Sequence, residues 1–444
     1  MDIINNSLYS FTKSVFDNDK IYFLSPFVLK KTDGNSTVLF NSLNGMCCGF
    51  KNSNFNNELQ YLVENLFYIS DDTDIYSIAK EFRNNIYNID EFICIDTISD
   101  VVITTTTTCN ANCQYCFERD IVKHSSINKT QALKISKFLI EHYNNNNLNI
   151  TWFGGEPLLN CDAIKIICDD LHKNNINFTS SIISNGSLFN QEIVDYLKTK
   201  ANLKVAQITL DGYGEDNDKI KNYKSNITFS NIIQNIVLLL NNQINVSIRL
   251  NLSENTFESC KKIIEFLNVF LNSKQKQFVN IYIHELFDVL ESSEESQNLV
   301  FSNIEYLNTE ICKYFPISDN VTHLFSYNKL SCSANNDYSY MLTPNGFITK
   351  CESVIHDFTN NEIVGHISDL NNLDVEKINS WKEYKYDPND ELCKTCFYMT
   401  KCNRLKKCPD LSKCTPRYIK YLRNKLIFEL NSVFANYIKK YNHK

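Results

Sequence analysis

The pattern that most limits the fold is a sixfold alternation of strand-like and helix-like segments between about residues 101 and 290. Short runs of β-branched or apolar residues predict six strands: Val101–Thr107, Asn149–Phe153, Phe178–Ser184, Lys204–Leu210, Asn245–Leu250 and Val279–His284. Helical patterns fill the intervals between them. Repeated strand–helix units of this kind predict a parallel sheet with right-handed crossovers. We therefore expect an α/β chain built around a partial (β/α)6 barrel, with its chemistry at the C-terminal ends of the strands.

Three cysteines follow the first predicted strand in the spacing C-x3-C-x2-C, namely Cys109, Cys113 and Cys116. Their position predicts a loop at the C-terminal face of the barrel. A [4Fe–4S] cluster normally takes four thiolates, so three cysteines would leave one iron open to a substrate or cofactor. Unrelated buried cysteines and a zinc site are the alternatives. The position directly after a β-branched strand argues against both.

This motif resembles that of the radical SAM superfamily. The resemblance implies a [4Fe–4S] cluster whose open iron binds S-adenosylmethionine (SAM). It further implies that an electron from the reduced cluster splits SAM into methionine and a 5′-deoxyadenosyl radical, which abstracts a hydrogen from the substrate. In such enzymes the cofactors carry the chemistry, while the protein supplies orientation and a dry pocket.

The same resemblance implies contacts between SAM and the ends of successive barrel strands. The implied residues are Tyr115 near the adenine, Gly154, Gly155 and Glu156 at the amino group, Ser184 and Asn185 at the ribose, Asp211 in an element similar to S/T-x-D-G, and Arg249 at the methionine carboxylate. Glycines permit close backbone approach, and a carboxylate can bind an ammonium group. For Asp211 and Arg249, a structural hydrogen bond or ion pair is an equal alternative.

A second set of cysteines lies towards the C-terminus. It comprises Cys332, Cys351, Cys393, Cys396, Cys402, Cys408 and Cys414. The run C-x2-C-x5-C within it predicts a metal site, for which zinc is one alternative. Together with a G-x4-C unit that ends at Cys351, the set resembles the SPASM domain, which implies two auxiliary [4Fe–4S] clusters.

By that resemblance, an outer cluster would be held by Cys393, Cys396, Cys402 and Cys414, and an inner one by Cys332, Cys351 and Cys408. The chain departs from the family pattern, because the usual C-x5-C-x3-C is C-x5-C-x5-C here. Seven cysteines are also one fewer than two fully ligated clusters need. The inner cluster would therefore have an open iron or a further ligand such as Cys312.

Glu352 directly follows Cys351. In the sulfatase-maturing relatives of this family an acidic residue at that place acts as the base. The resemblance thus implies that Glu352 is catalytic, with a surface carboxylate as the equal alternative.

The first hundred residues read as a separate module. Strands are predicted at Lys20–Phe27, Ser36–Phe40 and Met46–Phe50, and helices at Asn57–Phe67 and Ile75–Tyr87. This winged-helix-like pattern resembles the peptide-recognition modules of radical SAM/SPASM peptide maturases, in which a strand edge and a helix groove bind the leader of a precursor peptide.

These predictions divide the chain into three parts. Residues 1–100 form the peptide-recognition-like module, residues 101–290 a TIM-like radical SAM core barrel, and residues 291–444 a SPASM domain for auxiliary clusters. A helix from Pro416 onward closes the third part, with Thr415 as its N-cap.

Charge and hydropathy exclude several partners. The net charge of −7 argues against nucleic acid as the main partner. No apolar run approaches the ~18 residues that a membrane span needs. The N-terminal residues lack the basic start and apolar segment of a secretory signal. We therefore expect a soluble cytoplasmic protein that binds neither nucleic acid nor a membrane.

The resemblance favours a maturase that forms a thioether or carbon–carbon cross-link in a ribosomally synthesised precursor peptide. An electron donor such as ferredoxin or flavodoxin would reduce it. Within enzymes, the alternatives are a sulfatase-type maturase that makes formylglycine and a peptide epimerase. A metal-binding scaffold without catalysis is the alternative outside enzymes.

Overall fold

The structure is a computed structural model of the 444-residue chain. It describes residues 1–6, 13–86, 98–116, 118–119, 124–143, 148–286, 292–315, 332–354, 362–369, 373–408 and 414–441. In chain order, these residues form a small antiparallel sheet with two helices, a parallel α/β sheet, and a cysteine-rich part that ends in a long helix.

The N-terminal part contains six strands and two helices among its described residues. They are β1 (Asp2–Asn5), β2 (Phe23–Leu24), β3 (Val28–Thr32), β4 (Ser36–Asn41), β5 (Cys47–Lys51), α1 (Phe55–Glu64), β6 (Tyr68–Ile69) and α2 (Ile75–Ile86). Four strands form an antiparallel sheet in the order β1-β5-β4-β3. The predicted strand Lys20–Phe27 is wrong in most of its length, because only β2 is extended there and pairs with β6, while the sheet strand β3 begins at Val28.

The central sheet confirms all six predicted barrel strands. They are β7 (Asp100–Thr106), β8 (Leu148–Gly154), β9 (Phe178–Ser184), β10 (Leu203–Leu210), β11 (Asn245–Leu252) and β12 (Val279–Glu285). Every adjacent pair is parallel, and the strands lie side by side in chain order. The connecting helices are α3 (Lys129–His142), α4 (Cys161–Lys173), α5 (Gln191–Thr199), α6 (Glu215–Lys221), α7 (Phe229–Asn241), α8 (Phe257–Phe270) and α9 (Ser273–Lys276).

The two faces of this sheet differ in chemistry. On the outer face, residues such as Ile103, Trp152 and Ile248 are fully buried against the helices in one large hydrophobic core. Because side chains alternate along a strand, the intervening residues lie on the inner face. There the strands carry polar residues, including Gln207 and Arg249. The C-terminal strand ends, where the cysteine loop was predicted, lie at one edge of this inner face.

The C-terminal part adds strands to the same sheet. Its described elements are α10 (Glu294–Tyr314), β13 (Ser339–Leu342), β14 (Phe347–Thr349), β15 (Gly365–His366), α11 (Val375–Ser380), α12 (Glu391–Lys394) and α13 (Pro416–Tyr441). Strand β13 pairs in parallel with β7, so the described sheet has nine strands in the order β12-β11-β10-β9-β8-β7-β13-β14-β15. The cysteine-rich part is therefore continuous with the barrel sheet, which the sequence did not predict.

Helix α13 begins as predicted, since the Thr415 hydroxyl accepts a hydrogen bond from the Tyr418 amide at 3.2 Å and Pro416 is the first helical residue. Its apolar side packs on one face of the N-terminal sheet, where Phe40 and Leu430 are buried in the same core. Near its start, Lys425 pairs with Glu285 at the end of β12. The helix thus joins the N-terminal sheet to the barrel. None of the helices described is both long and apolar enough to cross a membrane.

Candidate active site at the C-terminal strand ends

The cysteine loop leaves the C-terminal end of β7. Cys109, Cys113 and Cys116 are all half-buried. The Cys116 amide donates to the Cys113 carbonyl at 3.2 Å, and the Ala111 amide donates to Cys109 Sγ at 3.4 Å. Burial, together with the nearby Glu156, Cys113 and Cys116, raises the pKa of Cys109 to about 11. The structure therefore brings the three predicted thiols together, and binding a metal cluster there would release their protons.

Gly154 and Gly155 allow β8 to lie directly against the segment that carries the cysteines. The Gly155 amide donates to the Thr106 carbonyl, and the Glu156 amide to the Thr108 carbonyl, each at 3.0 Å. A Cβ at Gly155 would lie 2.5 Å from the Thr108 oxygen, and Gly154 has a φ of +130°. Both positions therefore require glycine, because any side chain would push the start of the cysteine loop away.

The Glu156 carboxylate is fully buried and joins the ends of β8 and β9. It accepts from the Ser184 hydroxyl at 2.9 and 3.1 Å, from the Asn185 amide at 2.8 Å, and from the Leu158 amide at 3.2 Å. Burial raises the pKa of Glu156 to about 7, although these hydrogen bonds oppose the increase. The structure thus brings Glu156, Ser184 and Asn185 together as predicted, but the carboxylate is already engaged by protein donors.

Asn185 connects this group to the cysteine loop. Its side-chain amide donates to Asn110 Oδ1 at 2.8 Å and points to Cys109 Sγ at 3.8 Å. The Tyr223 hydroxyl donates to the Asn185 carbonyl at 3.2 Å. The end of β9 therefore lies directly beside the thiol that follows β7.

Asp211 lies at the end of β10 and forms a buried ion pair with Lys221, whose Nζ is 2.8 Å from Oδ2. The two side chains are only 1% and 3% exposed. The Tyr115 hydroxyl and the Asn251 amide also donate to Asp211, at 2.7 and 2.6 Å. Asp211 and Tyr115, both predicted site residues, are therefore in direct contact.

Lys221 is a site residue that the sequence analysis missed. It ends the short helix α6, and its carbonyl accepts from the Asn112 amide inside the cysteine loop at 2.9 Å. The charge of Lys221 opposes the burial that raises the pKa of Cys113. A lysine on a short polar helix gives no sequence signal of burial. Its nearness in the sequence to Asp211 is the one signal that could have indicated a position at the site.

Arg249 lies lower on the inner face than the other predicted residues. It pairs with Thr209 on β10 and Tyr282 on β12, two residues before Asn251. Its Nε donates to Asn251 Oδ1 at 3.0 Å. With a strand rise of ~3.3 Å per residue, Arg249 lies about 7 Å from the level of Asn251. Among the described residues, its hydrogen-bonded link to Asp211 runs through Asn251.

The four cysteines of the predicted outer set lie near one another, namely Cys393, Cys396, Cys402 and Cys414. Burial raises the pKa of Cys396 to about 12, and the other three thiols add to the increase. Arg404 Nη1 is 2.8 Å from Cys414 Sγ. From the N-terminal part, Arg83 Nη1 donates to the Cys402 carbonyl at 2.5 Å. Thiol donors flanked by two guanidinium groups fit an anionic iron–sulfur cluster.

In the predicted inner set, burial raises the pKa of Cys351 to about 12. Cys332 lies near enough to Cys351 to contribute to this increase. Cys351 and Cys408 pack against the same hydrophobic core. Cys312 is exposed on α10. In the described ranges, no three His, Cys, Asp or Glu side chains are arranged to hold a single metal ion.

The inner set and Glu352 lie at the opposite end of β7 from the first cysteine loop. Cys351 follows β14, whose Thr349 pairs with Met341, and Met341 pairs with Val102 near the start of β7. At ~3.3 Å per residue, β7 is about 20 Å long. Glu352 is exposed beside Cys351. The structure therefore does not place Glu352 with Cys109, and its catalytic role stays a prediction.

Comparisons with known proteins agree with this geometry. Residues 103–267 match the family model described as "Radical SAM superfamily". A radical SAM cyclopropyl synthase, TigE of Paramaledivibacter caminithermalis, is 28% identical over 54% of this chain and 59% of its own length. A cysteine-type anaerobic sulfatase-maturating enzyme of Clostridium novyi is 24% identical over 77% of this chain and 97% of its own length. The chain thus spans less than two thirds of the cyclopropyl synthase.

Solved structures share the fold. Native anSMEcpe with bound AdoMet and a Cp18Cys peptide superposes with a TM-score of 0.57 and 16% identity, over 78% of this chain and 99% of that one. A histidine-tagged form of anSMEcpe with bound AdoMet gives a TM-score of 0.59 over 76% of this chain and 98% of that one. The family match begins within β7 and ends within α8, so it contains the cysteine loop and the C-terminal ends of β7 to β11. The chain therefore contains a radical SAM domain.

Proposed function

We propose that this protein is a radical SAM enzyme that modifies a ribosomally synthesised precursor peptide by forming a thioether or carbon–carbon cross-link. The observation that carries the proposal is the convergence of Cys109, Cys113 and Cys116 with the strand ends at Glu156 and Asp211. Bound together, a [4Fe–4S] cluster and SAM supply hydrogen-atom abstraction by a carbon-centred radical. The residues of the chain bind, orient and shield these groups.

The strand-end residues fit SAM in the following way. The three thiols would hold the cluster, the Gly154–Glu156 segment the amino group, Ser184 and Asn185 the ribose, and Tyr115 the neighbourhood of the adenine. For the methionine carboxylate, the geometry favours Lys221 over Arg249, because Lys221 adjoins Cys113 and Asp211 while Arg249 lies lower on the inner face. A buried ammonium is a strong donor to a carboxylate.

The C-terminal cysteines support two auxiliary clusters in a SPASM domain. Cys393, Cys396, Cys402 and Cys414 would hold the outer cluster, and Cys332, Cys351 and Cys408 the inner one. We propose an open iron in the inner cluster, with Cys312 as the alternative fourth ligand; Cys312 and Cys332 are both exposed, so exposure does not separate the two possibilities. Iron analysis of Cys312→Ser should therefore equal that of the wild type, whereas loss of about four irons would identify Cys312 as a ligand.

Two features support a peptide substrate. The edge strand β3 pairs only with β4 in the described sheet, and an open edge of this kind can accept an extended peptide. The anSMEcpe fold neighbour binds a peptide. We propose residues 1–100 as the leader-binding module. A ferredoxin or flavodoxin would be the electron donor, and the cytoplasm, which keeps thiols reduced, would be the site of action.

The test is the intact mass, after anaerobic co-expression, of candidate precursor peptides encoded near this gene. The proposal predicts loss of two hydrogens for each cross-link, with fragmentation locating the new bond. The matched control is the enzyme with Cys109, Cys113 and Cys116 all changed to Ala, which should leave the mass unchanged. An unmodified mass with the wild-type enzyme, and no deuterium incorporated from D₂O, would refute peptide maturation.

A sulfatase-type maturase is the second candidate, because the Clostridium novyi relative aligns over 97% of its own length. Converting a cysteine to formylglycine exchanges sulfur for oxygen and removes two hydrogens, so its mass change differs from that of a cross-link. Glu352, beside Cys351, is the proposed base for either reaction. A substrate protein that gains an aldehyde would favour this candidate.

A further inference from the structure

The inner face of strands β10, β11 and β12 carries a row of polar side chains. The register places Arg249 opposite Tyr282, and Asn251 opposite His284. Gln207 belongs to the same face, because the Tyr282 hydroxyl reaches across β11 and donates to Gln207 Oε1 at 2.9 Å. The alternate residues, such as Ile248, lie in the hydrophobic core on the other face. The polar row therefore faces the interior of the barrel.

Neighbouring side chains hold the Arg249 guanidinium in a defined orientation. Its Nε donates to Asn251 Oδ1, and the Asn251 amide is in turn fixed by Asp211 at 2.6 Å. The Tyr282 hydroxyl lies beside the guanidinium, whose charge opposes the burial that raises the pKa of that phenol. A planar guanidinium has five donors, and orienting it in advance lowers the entropy lost on binding a ligand.

The positive charge of Arg249 is not neutralised by the described part of the chain. Asp211 pairs with Lys221, and Glu285 pairs with Lys425. Within the described ranges, no carboxylate forms an ion pair with Arg249. Burial and the charge of Arg249 lower the pKa of His284 to about 4, so His284 is neutral near pH 7. Among the described residues, the inner face thus presents the oriented cation of Arg249 beside the neutral side chains of Asn251 and Tyr282.

We propose that Arg249, oriented by Asn251 and Tyr282, binds a carboxylate of the peptide substrate inside the barrel. The proposal rests on the proposed function, because it requires a peptide to enter the barrel below SAM. A half-buried guanidinium that pairs with no carboxylate of the described residues favours an anion, and its fork matches the two oxygens of a carboxylate. The carboxylate belongs to an Asp or Glu side chain or to the C-terminus of the peptide.

The test uses the anaerobically reconstituted holoenzyme with SAM and the fluorescently labelled precursor peptide encoded beside the gene. Peptide variants change each Asp to Asn and each Glu to Gln, and one carries a C-terminal amide. Fluorescence anisotropy gives the dissociation constant for each pair. A charge-assisted hydrogen bond is worth ~1.5–3 kcal/mol, so Arg249→Gln should weaken binding of the unmodified peptide roughly ten- to hundredfold.

The peptide variant that lacks the recognised carboxylate should bind the wild-type enzyme as weakly as the unmodified peptide binds Arg249→Gln. Its affinity should not fall further with Arg249→Gln, because the contact between the two groups is already absent. The identity of that peptide variant shows whether Arg249 binds a side-chain carboxylate or the C-terminus. Arg249→Lys should recover part of the affinity. Lys262→Gln, which removes an exposed charge on α8, is the matched control and should bind as the wild type does.

The proposal would be overturned if, for every peptide variant, the loss of affinity from the peptide change and the loss from Arg249→Gln multiplied as independent effects. A raised dissociation constant for SAM with peptide affinity retained would also overturn it, because Arg249 would then be a cofactor ligand. The mass of the same peptides after turnover tests the proposed function separately. Arg249-dependent binding of a carboxylate without any mass change or deuterium uptake would uphold this inference and refute peptide maturation.

Discussion

Asp211 and Lys221 carry opposite charges at a position that is almost closed to water. Moving both groups out of water costs free energy, which their attraction repays only when further hydrogen bonds satisfy them. Tyr115 and Asn251 supply those bonds to Asp211. The pair therefore fixes the position of the cysteine loop relative to β10 and β11. We expect this positioning, and not a net gain in folding stability, to be its main effect.

Lys221→Met would leave the Asp211 carboxylate buried without a counter-ion. We expect the free energy of unfolding to fall by about 3–5 kcal/mol. The double variant Asp211→Asn/Lys221→Met buries no charge and should recover more than half of that loss. Anaerobic urea unfolding followed by circular dichroism measures both. Equal losses in the single and double variants would contradict a buried, mutually dependent pair.

His284 gives the fold a pH dependence of defined sign. Although the His284 side chain is exposed on β12, partial desolvation and the charges of Arg249 and Lys425 lower its pKa from 6.5 to about 4, while Glu285 opposes the decrease. Between those values the unfolded chain binds the proton and the folded chain does not, so stability falls as the pH drops from 6.5 to 4. Urea midpoints of His284→Gln should decline less over this range than those of the wild type. Parallel declines would contradict the assignment.

Sequence motifs located most site residues but not their contacts. The motif at Gly154–Glu156 predicted a ligand for an ammonium group, and the strand-end position is confirmed. Ser184 and Asn185 already donate to both carboxylate oxygens of Glu156. These contacts depend on the distance between two strand ends, which no local sequence pattern encodes. The same reason explains why Lys221 was missed, since its burial depends on how α6 folds back over Asp211.

At the scale of elements, the cysteine loop depends on how closely β7 and β8 approach. Gly155 has no side chain where Thr108, directly before Cys109, lies against it. The loop and the strand end are therefore one structural unit. A change in either strand end should alter cluster binding even when no thiol is touched.

Gly155→Ala should displace Thr108 and reduce the iron bound by the first cysteine loop, because the added Cβ would lie 2.5 Å from a backbone oxygen that cannot rotate away. Iron analysis and the effect of SAM on the electron paramagnetic resonance of the reduced protein measure this. Gly34→Ala is the control: its φ of +94° makes it strained, but no atom lies within 4 Å. Full iron content and an unchanged response to SAM in Gly155→Ala would contradict the account.

The six barrel strands were predictable because each is a run of five or more residues with a clear pattern. Strand β13 was not. It has four residues, Ser339–Leu342, and pairs with β7 from far along the chain. A short buried run carries no signal for such a long-range partner, so the sequence could not show that the cysteine-rich part extends the barrel sheet.

Across the whole molecule, α13 connects parts that the sequence divided. Leu430 and its neighbours share a core with Phe40 of the N-terminal sheet, while Tyr421 and Lys425 bond to Glu285 of β12. Arg83 adds a second connection, from α2 to the loop around Cys402. The proposed leader-binding module is therefore packed against the cluster-bearing part.

Leu430→Ala should test this connection. Leu430 is 1% exposed, so the change removes buried contacts, and we expect the free energy of unfolding to fall by about 2–5 kcal/mol. Ile427→Ala on the same helix is the control, since Ile427 is 37% exposed and should change stability by no more than about 0.5 kcal/mol. Urea unfolding compares the two. Similar effects of both changes would contradict the packing of α13 on the sheet.

The most direct test of the central claim is the 5′-deoxyadenosine formed from SAM by the anaerobic, reduced holoenzyme with its precursor peptide. The account predicts that wild-type enzyme forms it in step with modified peptide, and that deuterium placed in the peptide appears in the nucleoside. The variant with Cys109, Cys113 and Cys116 changed to Ala should form none while its C-terminal clusters remain. Equal product from both proteins, or none from a wild-type enzyme with full iron content, would contradict the account.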